Sequence, residues 1–429
     1  MDIDPWLPRA AARRPDGVAL QTPDGPVTYR DLLQAATRAA GALRALGVKP
    51  GDRVALALAP GREFVEALHG SLLLGAIGVP VDSRLGDTER AAQTRRCVAI
   101  VNVPLTAGTA LFERSEWLED DIALVVHTSG TTRRPRPVAL SFGNLFAHAR
   151  AVARAVELTP EDRWLNPLPL SHIGGLMALL RCCAQSATCV LEPAPFDTER
   201  VTRSLREDAT LASLVPTMLD RVLEAGSTPG PQLRRILLGG GNVTRELLER
   251  ARDAGFPVSQ TYGLTQACST VTLAEPGDLA TAGRPLPGFG VSISRAGEIY
   301  VTGPAVAGED VVATGDLGRL EEDGRLVVTG RKVDTIVTGG ENVSPAEVEA
   351  VLIEHPDVAE VAVFGRLHPE WGEAVSAKVV ARAGAEPTDE ELRAHVAQRL
   401  AGYKVPKTFD LVDELPRTAS GKLLRRELR

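Results

Sequence analysis

Residues 53–81 read RVALALAPGREFVEALHGSLLLGAIGVPV, and their pattern decides the fold class. Arg53–Ala59 is an apolar run of strand length, Glu63–Leu74 carries apolar residues at helical spacing, and Ile77–Val81 is a second short apolar run. A helix that links two strands in so short a span returns the chain parallel to its start, which makes a parallel sheet covered on both faces. The same texture spreads outward. Upstream, Thr28 caps a helix with Asp31 just behind it, Leu32, Leu33, Ala36, Ala40 and Leu43 repeat at helical spacing, and Gly47 closes the segment. Downstream, Ala123–His127, Thr188–Leu191, Leu211–Val215, Arg235–Leu238 and Val258–Thr261 read as buried strands with helices between the later ones.

After Thr281 the texture changes to glycine-punctuated short strands, Val291–Ser294, Glu298–Val301 and Arg325–Val328, which predicts a small β-rich subdomain. From Gly330 onward, a helix over Pro345–Ile353, strands over Val358–Phe364 and Ala374–Val380, a helix over Asp389–Ala401 and a strand over Thr408–Val412 predict a further compact unit. The expected fold is therefore α/β. A large N-terminal domain, residues 1–330, has parallel-rich sheets, flanking helices and the β-rich subdomain, and a small α+β C-terminal domain follows at 331–429.

The 429 residues carry 48 basic and 55 acidic side chains, a net charge of −7, which argues against a nucleic-acid binder with its basic face. Met1–Pro5 has neither the basic nor the apolar region of a secretory signal. The most apolar stretch, Leu72–Val81, is broken by Gly75, Gly78 and Pro80 and falls short of the roughly 18 apolar residues of a membrane span. A cytoplasmic protein without membrane contact is expected. Its 5 cysteines lack paired CxxC spacing and read as reduced buried thiols rather than zinc ligands. Only Lys49, Lys332, Lys378, Lys404, Lys407 and Lys422 are lysines, so a lysine is kept where arginine does not serve.

Four groups of residues carry chemistry. Thr128-Ser129-Gly130-Thr131-Thr132 follows a strand and offers hydroxyl and backbone donors to a phosphate, although a polar surface loop fits this pentapeptide equally well taken alone. It is not a Walker loop, because GxxxxGK[ST] is absent. Gly239-Gly240-Gly241-Asn242 and Thr261-Tyr262-Gly263-Leu264-Thr265-Gln266 each follow an apolar strand, where open parallel sheets bind ligands, and Tyr262 can stack on a flat base. Singly, each is only a glycine-rich turn. In Thr314-Gly315-Asp316 and Gly330-Arg331-Lys332-Val333-Asp334, Asp316 can accept from both hydroxyls of a ribose and Arg331 offers a fork of donors; Gly339-Gly340-Glu341-Asn342 follows. Finally, Pro416-Arg417-Thr418-Ala419-Ser420-Gly421-Lys422 puts a lysine beside a glycine, suited to a developing oxyanion.

In this order and spacing the four groups resemble the adenylate-forming superfamily of acyl-CoA and aryl-CoA synthetases, peptide-synthetase adenylation domains and luciferases, over essentially the whole chain. The resemblance implies ATP, Mg2+ and coenzyme A, and a C-terminal domain that swings about a hinge near Lys332 and Val333. A carboxylate attacks the α-phosphate of ATP to give an acyl adenylate and pyrophosphate, and the thiol of CoA then displaces AMP. By the same resemblance Thr128 to Thr132 bind the β and γ phosphates, and Gly239, Gly240, Gly241 and Asn242 with Thr261, Tyr262, Gly263 and Leu264 form the adenine site. Asp316 and Arg331 hold the ribose, Thr265 meets the α-phosphate, Lys422 stabilises the adenylation transition state, and Gly339 and Gly340 line the pantetheine tunnel. Arg133 and Arg136 stand where the family usually has glycine and lysine. Gln266 replaces the usual magnesium-binding glutamate, and a neutral amide is a weaker ligand for a hard cation, so weaker Mg-ATP binding is expected.

Leu168-Pro169-Leu170-Ser171-His172-Ile173-Gly174-Gly175-Leu176 resembles the superfamily segment whose histidine approaches the acyl carboxylate; out of context His172 reads as a packed or capping residue. The short chain, Leu214–Leu219 and the segments quoted above look most like the 2-succinylbenzoate-CoA ligases of menaquinone biosynthesis. Other readings stay open: another aryl or short acyl acid, a carrier protein as the thiol acceptor, or a degenerate nucleotide-binding relative. Partners are then a small carboxylic acid, ATP and CoA, in a monomer or a homodimer. A substrate with two carboxylates needs a cation or hydroxyls deep in its pocket, and the sequence does not say which arginine that is.

Overall fold

The computed structural model describes residues 2–110, 117–128, 136–192, 195–241, 243–308, 310–339, 341–417 and 423–428. By contact the chain divides into two units, one of residues 1–130, 134–291 and 301–312 and one of residues 131–133, 292–300 and 313–429. The second unit thus includes much of the β-rich segment as well as everything after residue 330.

The opening stretch forms the strand–helix–strand unit its pattern predicts: Arg53–Leu56, helix Arg62–Leu74 and Ile77–Pro80, with the strands parallel. The helix ends on Gly75 at φ 77°, a left-handed cap that L side chains resist. Gly70 lets it press on helix Tyr29–Ala45, where an added Cβ would lie 2.7 Å from the Ala39 methyl. The latter helix starts at Thr28, whose hydroxyl accepts from the Asp31 N–H. These strands belong to a five-stranded sheet ordered Ala99–Val101, Arg53–Leu56, Ile77–Pro80, Ile122–Thr128, Arg136–Ser141.

A nine-stranded sheet is the larger sheet of the first unit. Val18–Thr22, Thr188–Leu191, Arg163–Asn166, Leu211–Leu214, Arg235–Leu238 and Val258–Leu264 run parallel as successive neighbours. Gly25–Thr28 closes one edge, and Ser269–Leu273 with Arg284–Pro285 closes the other, all antiparallel. Alternation along the strands serves two cores: Trp164 and Cys189 join the cluster built on Trp6, Trp117 and Phe142, while Leu165 and Val190 join Val201, Leu219 and Phe256.

Two features depart from the expected parallel pattern. The strand from Val258 continues through Leu264 rather than stopping at Thr261, and Ser269–Leu273 folds back on it. Arg136–Ser141 likewise folds back on Ile122–Thr128, with Thr128 opposite Arg136. The connections 265–268 and 129–135 are too short for a crossover helix, so these strands pair antiparallel.

Mostly within the second unit, Gly290–Ile293, Glu298–Thr302, Val311–Leu320 and Leu326–Arg331 form a four-stranded sheet in that order. A five-stranded sheet follows, Glu341–Val343, Ile336–Thr338, Gly372–Ala381 and Val358–His368, with Thr408–Leu411 also paired to Gly372–Ala381. Helices Pro345–Leu352 and Asp389–Ala397 contribute Val348, Leu352, Leu392 and Val396 to its core with Val363 and Val375. The second helix ends at Ala397, short of the expected Ala401, with Gln398 at its C-cap, and a 3₁₀ turn follows over Gly402–Lys404. All five cysteines are free, and no helix among the described residues is long and apolar enough to cross a membrane.

Candidate active site

In the first unit two glycine-rich segments meet at the carboxyl edge of the nine-stranded sheet, where parallel α/β sheets hold ligands. Arg235–Leu238 and Val258–Leu264 are parallel neighbours, with Leu238 opposite Gln260. Gly239 follows at once, its N–H donating to Leu214 O at 3.2 Å, and an added Cβ would lie 2.3 Å from Thr261 Oγ1. Thr261 Oγ1 donates to Leu238 O at 3.2 Å, so the triple glycine is laid directly against the next strand. Tyr262, expected just after a strand, lies within one and is buried.

Beyond it the chain reverses sharply. Thr265–Ala267 form a 3₁₀ turn, Cys268 sits at φ 56° and Ser269 at φ 106°, and Gln266 O accepts from Ala307 N at 2.7 Å. Two successive L residues at positive φ store backbone strain, which concentrates at functional turns. Thr265 and Gln266 are both half-buried. Thr128, at the end of its strand, donates from Oγ1 to Arg136 O at 3.3 Å. Ser129, Gly130, Thr131, Thr132, Arg133, Asn242, Gly340 and Lys422 lie outside the described residues.

His172 occupies the N-cap of helix Ile173–Gln185 without a side-chain capping bond. Its Nε2 lies 3.8 Å from Asp82 Oδ2, a residue that no motif had singled out. Burial pushes the Asp82 carboxyl up, but hydrogen bonds from the Arg84 side chain and main chain outweigh this and hold it at about 2. Asp82, Ser83, Pro169 and Ser171 line a small cavity of about 50 Å³ with Phe64 and Leu58. A larger one of about 220 Å³ lies under Leu248 and Phe256, at the opposite end of strand Val258–Leu264, and holds none of the candidate residues.

Further along the helix, Arg181 was also missed. Its side chain is 1% exposed, its Nε donates to Met177 O at 2.7 Å, and its guanidinium stands 4.5 Å from the Trp164 ring centroid. Its Nη1 has no hydrogen-bond partner and no carboxylate pairs with it among the described residues. Burial lowers its pKa to about 10, so it is still charged at neutral pH. A cation so placed is costly unless an anion joins it. The one signal in the sequence was a single charge inside the apolar run Ile173–Ala184.

In the second unit Asp316 and Arg331 face each other across neighbouring strands, with Arg331 Nε 2.8 Å from Asp316 Oδ1 and Asp316 buried. Lys332 pairs with Glu298 at 2.9 Å, and Val333 is exposed. Gly339, at φ 58°, donates its N–H to Trp371 O at 2.9 Å. Trp371 stacks on His368 with centroids 4.3 Å apart, and Lys407 Nζ stands 5.0 Å from the Trp371 ring. This cationic aromatic platform beside the Gly339 turn was not anticipated either. No group of three or more His, Cys, Asp or Glu among the described residues is arranged to hold a metal. Gln266, half-buried in its 3₁₀ turn, offers an amide oxygen, a weaker donor to a hard cation than a carboxylate, so the described residues suit a magnesium ion held mainly by phosphate and water.

Models of two families match the chain: the AMP-binding enzymes at residues 7–116 and 101–309, and the AMP-binding enzyme C-terminal domain at 347–422. A 2-succinylbenzoate–CoA ligase of Bacillus licheniformis is 38% identical, with 100% of both chains covered. The o-succinylbenzoate CoA synthetase of Bacillus subtilis, solved with the acyl-adenylate intermediate OSB-AMP, superposes with a TM-score of 0.93 at 35% identity, covering 100% of this chain and 98% of that one. The same enzyme solved with ATP and magnesium gives a TM-score of 0.92 at 34% identity, with 100% of both covered. With its glycine turns at the sheet edge, its Asp316–Arg331 pair and matches over both domains, the chain belongs to the AMP-binding enzyme family.

Proposed function

We propose that the chain is an ATP-dependent, AMP-forming acid–CoA ligase whose acid is 2-succinylbenzoate, acting in menaquinone biosynthesis. The full-length likeness to ligases so named carries this reading, and the buried Arg181, whose Nη1 has no hydrogen-bond partner among the described residues, supports a substrate with a second carboxylate. An acid with two carboxylates presents one to ATP and still has one to neutralise the guanidinium, whereas a monoacid leaves it uncompensated.

In the first half-reaction a carboxylate oxygen forms a bond to the α-phosphorus and the bond to pyrophosphate breaks. Alignment and charge stabilisation do most of this work. Residues 128–132 hold the β and γ phosphates, Gly239–Gly241 and Asn242 with Thr261–Leu264 frame adenine, and Asp316 with Arg331 binds the ribose. The existing ion pair holds the Asp316 carboxylate oriented before the hydroxyls arrive. Thr265 meets the α-phosphate, His172 the acyl carboxylate, and Lys422 the charge that develops at phosphorus. Gln266 would hold the magnesium ion together with phosphate oxygens and water, and the ion would supply charge to offset the phosphates. In the second half-reaction the C-terminal domain turns about Lys332 and Val333, and the CoA sulfur attacks the carbonyl carbon and expels AMP. Gly339 and Gly340 line the path of the pantetheine arm. Trp371 and Lys407 suit the base and phosphates at its far end.

The test is CoA-thioester formation from 2-succinylbenzoate against 4-oxo-4-phenylbutanoate, which lacks only the ring carboxylate. The diacid is expected to be preferred in kcat/KM by about 100-fold; equal use of both acids contradicts the substrate assignment.

A further inference from the structure

On both sides of residues 418–422 the chain is fastened to the C-terminal sheet. Arg417 and Leu423 form an antiparallel bridge, Leu424 N donates to Pro416 O at 2.8 Å, and the Arg417 guanidinium meets Glu360 Oε2 at 2.5 Å. Leu415 and Leu428 are buried against Ala362 and Phe364. Between these anchors Arg425 reaches inward to three acceptors on three elements. Its Nη2 donates to Glu349 Oε2 at 2.8 Å on helix Pro345–Leu352, its Nη1 to Val363 O at 2.7 Å on strand Val358–His368, and its Nε faces Asp334 Oδ2 at 3.4 Å. Glu349 is buried, and its other oxygen accepts from Val363 N at 2.8 Å, so the carboxylate is engaged on both sides. Asp334 is the last residue of the 3₁₀ turn Lys332–Asp334, which contains the two residues assigned to the hinge.

A tail that needed only to be tucked away would be held by Leu428 and its apolar neighbours. The clasp does something more specific, because it ties the chain immediately after Lys422 to the turn about which the domain is assigned to rotate. We propose that Arg425 is a positioning residue for adenylation: its fork of donors joins the chain that follows Lys422 to the hinge turn. This rests on the reading of Lys422 as the lysine of the first half-reaction. The guanidinium turns a separate nitrogen toward each acceptor; a lysine ammonium at 425 keeps the charge but gathers its three donors on one nitrogen and loses the fork. On that reading Lys422 serves the first half-reaction alone, so misplacing it affects the first alone.

The experiment uses the full-length chain and two readouts: pyrophosphate release dependent on 2-succinylbenzoate, and CoA-thioester formation from supplied 2-succinylbenzoyl adenylate. Arg425→Lys is expected to lower pyrophosphate release about tenfold or more, since a misplacement of about 1 Å costs that much, while thioester formation changes by less than about twofold. Asp334→Asn cuts the hinge-side contact and spares the buried Glu349 pair, and it is expected to show the same selective loss to a smaller degree. Lys422→Ala run in parallel separates the two claims. If it leaves pyrophosphate release unchanged, the lysine assignment falls and the proposal with it. If it abolishes release while Arg425→Lys and Asp334→Asn leave both readouts unchanged, or lower both equally, the positioning role is overturned and the lysine assignment stands.

Discussion

Gly263 lies where the strand bearing Tyr262 turns back, and a methyl group there would sit 1.8 Å from the Ser269 carbonyl oxygen. No side-chain rotation relieves a clash with backbone, so Gly263→Ala is expected to destabilise the chain by about 3 kcal/mol, read from urea unfolding. Three residues on, Gln266→Glu restores a hard anionic oxygen, and the Mg2+ concentration giving half-maximal pyrophosphate release should fall severalfold. An unchanged Mg2+ dependence would remove Gln266 from the metal site. Arg181→Leu tests the buried cation: KM for 2-succinylbenzoate should rise about tenfold or more, while 4-oxo-4-phenylbutanoate is used no worse than before. Parallel loss with both acids would make Arg181 structural. These residues also mark how far single positions could be read from the sequence. Asp316 and Arg331 were legible as candidates that act together because a carboxylate and a guanidinium fork have specific chemistry, and the strand register sets them face to face. Arg181 was not, because arginine is abundant here and only burial distinguishes this one. Asp82 depends on a loop meeting a helix start far away in sequence, which no local pattern encodes.

Helix Arg62–Leu74 shows what an element adds. Its apolar residues are packed on nearly every side, and His69 is carried into the core with them, its Nε2 without a hydrogen-bond partner among the described residues. Burial lowers the His69 pKa to about 4, well below the ordinary value. The sign follows from linkage. Above pH 6.5 the imidazole is neutral in both states, whereas between that value and about 4 the unfolded chain takes up a proton that the folded chain refuses, so stability falls with pH across this window. His69→Leu should remove on the order of 3 kcal/mol of that pH-dependent loss, measured as the difference in unfolding free energy between pH 7 and pH 4. A variant with the wild-type pH dependence would show that His69 is not the group responsible. At this scale the sequence was most readable where caps and periodicity coincide. Thr188–Leu191 and Arg235–Leu238 begin and end where their apolar runs do, and the Thr28 cap is formed as expected. The hairpins at 122–141 and 258–273 were not legible, because a strand's direction is set by the connection and not by its own pattern.

Across the whole molecule the chain carries glycine-rich turns at the sheet edge of the first unit, the Asp316–Arg331 pair in the second, and Lys422 near the end of its sequence. Such a division suits an enzyme that changes its active-site partner between two chemical steps, since one set of residues serves phosphorus chemistry and another serves thiol attack. The scarcity of lysine agrees with this: Lys422 is one of only 6 lysines among 48 basic residues. The most direct test of the two-step account is mass spectrometry of the products formed from Mg-ATP and 2-succinylbenzoate, first without and then with CoA. The account predicts 2-succinylbenzoyl adenylate and pyrophosphate in the first reaction, and its conversion to the CoA thioester with release of AMP in the second. An adenylate that persists when CoA is added would contradict CoA as acceptor and direct attention to a carrier-protein thiol, and ADP or no acid-dependent product in either reaction would contradict the account as a whole.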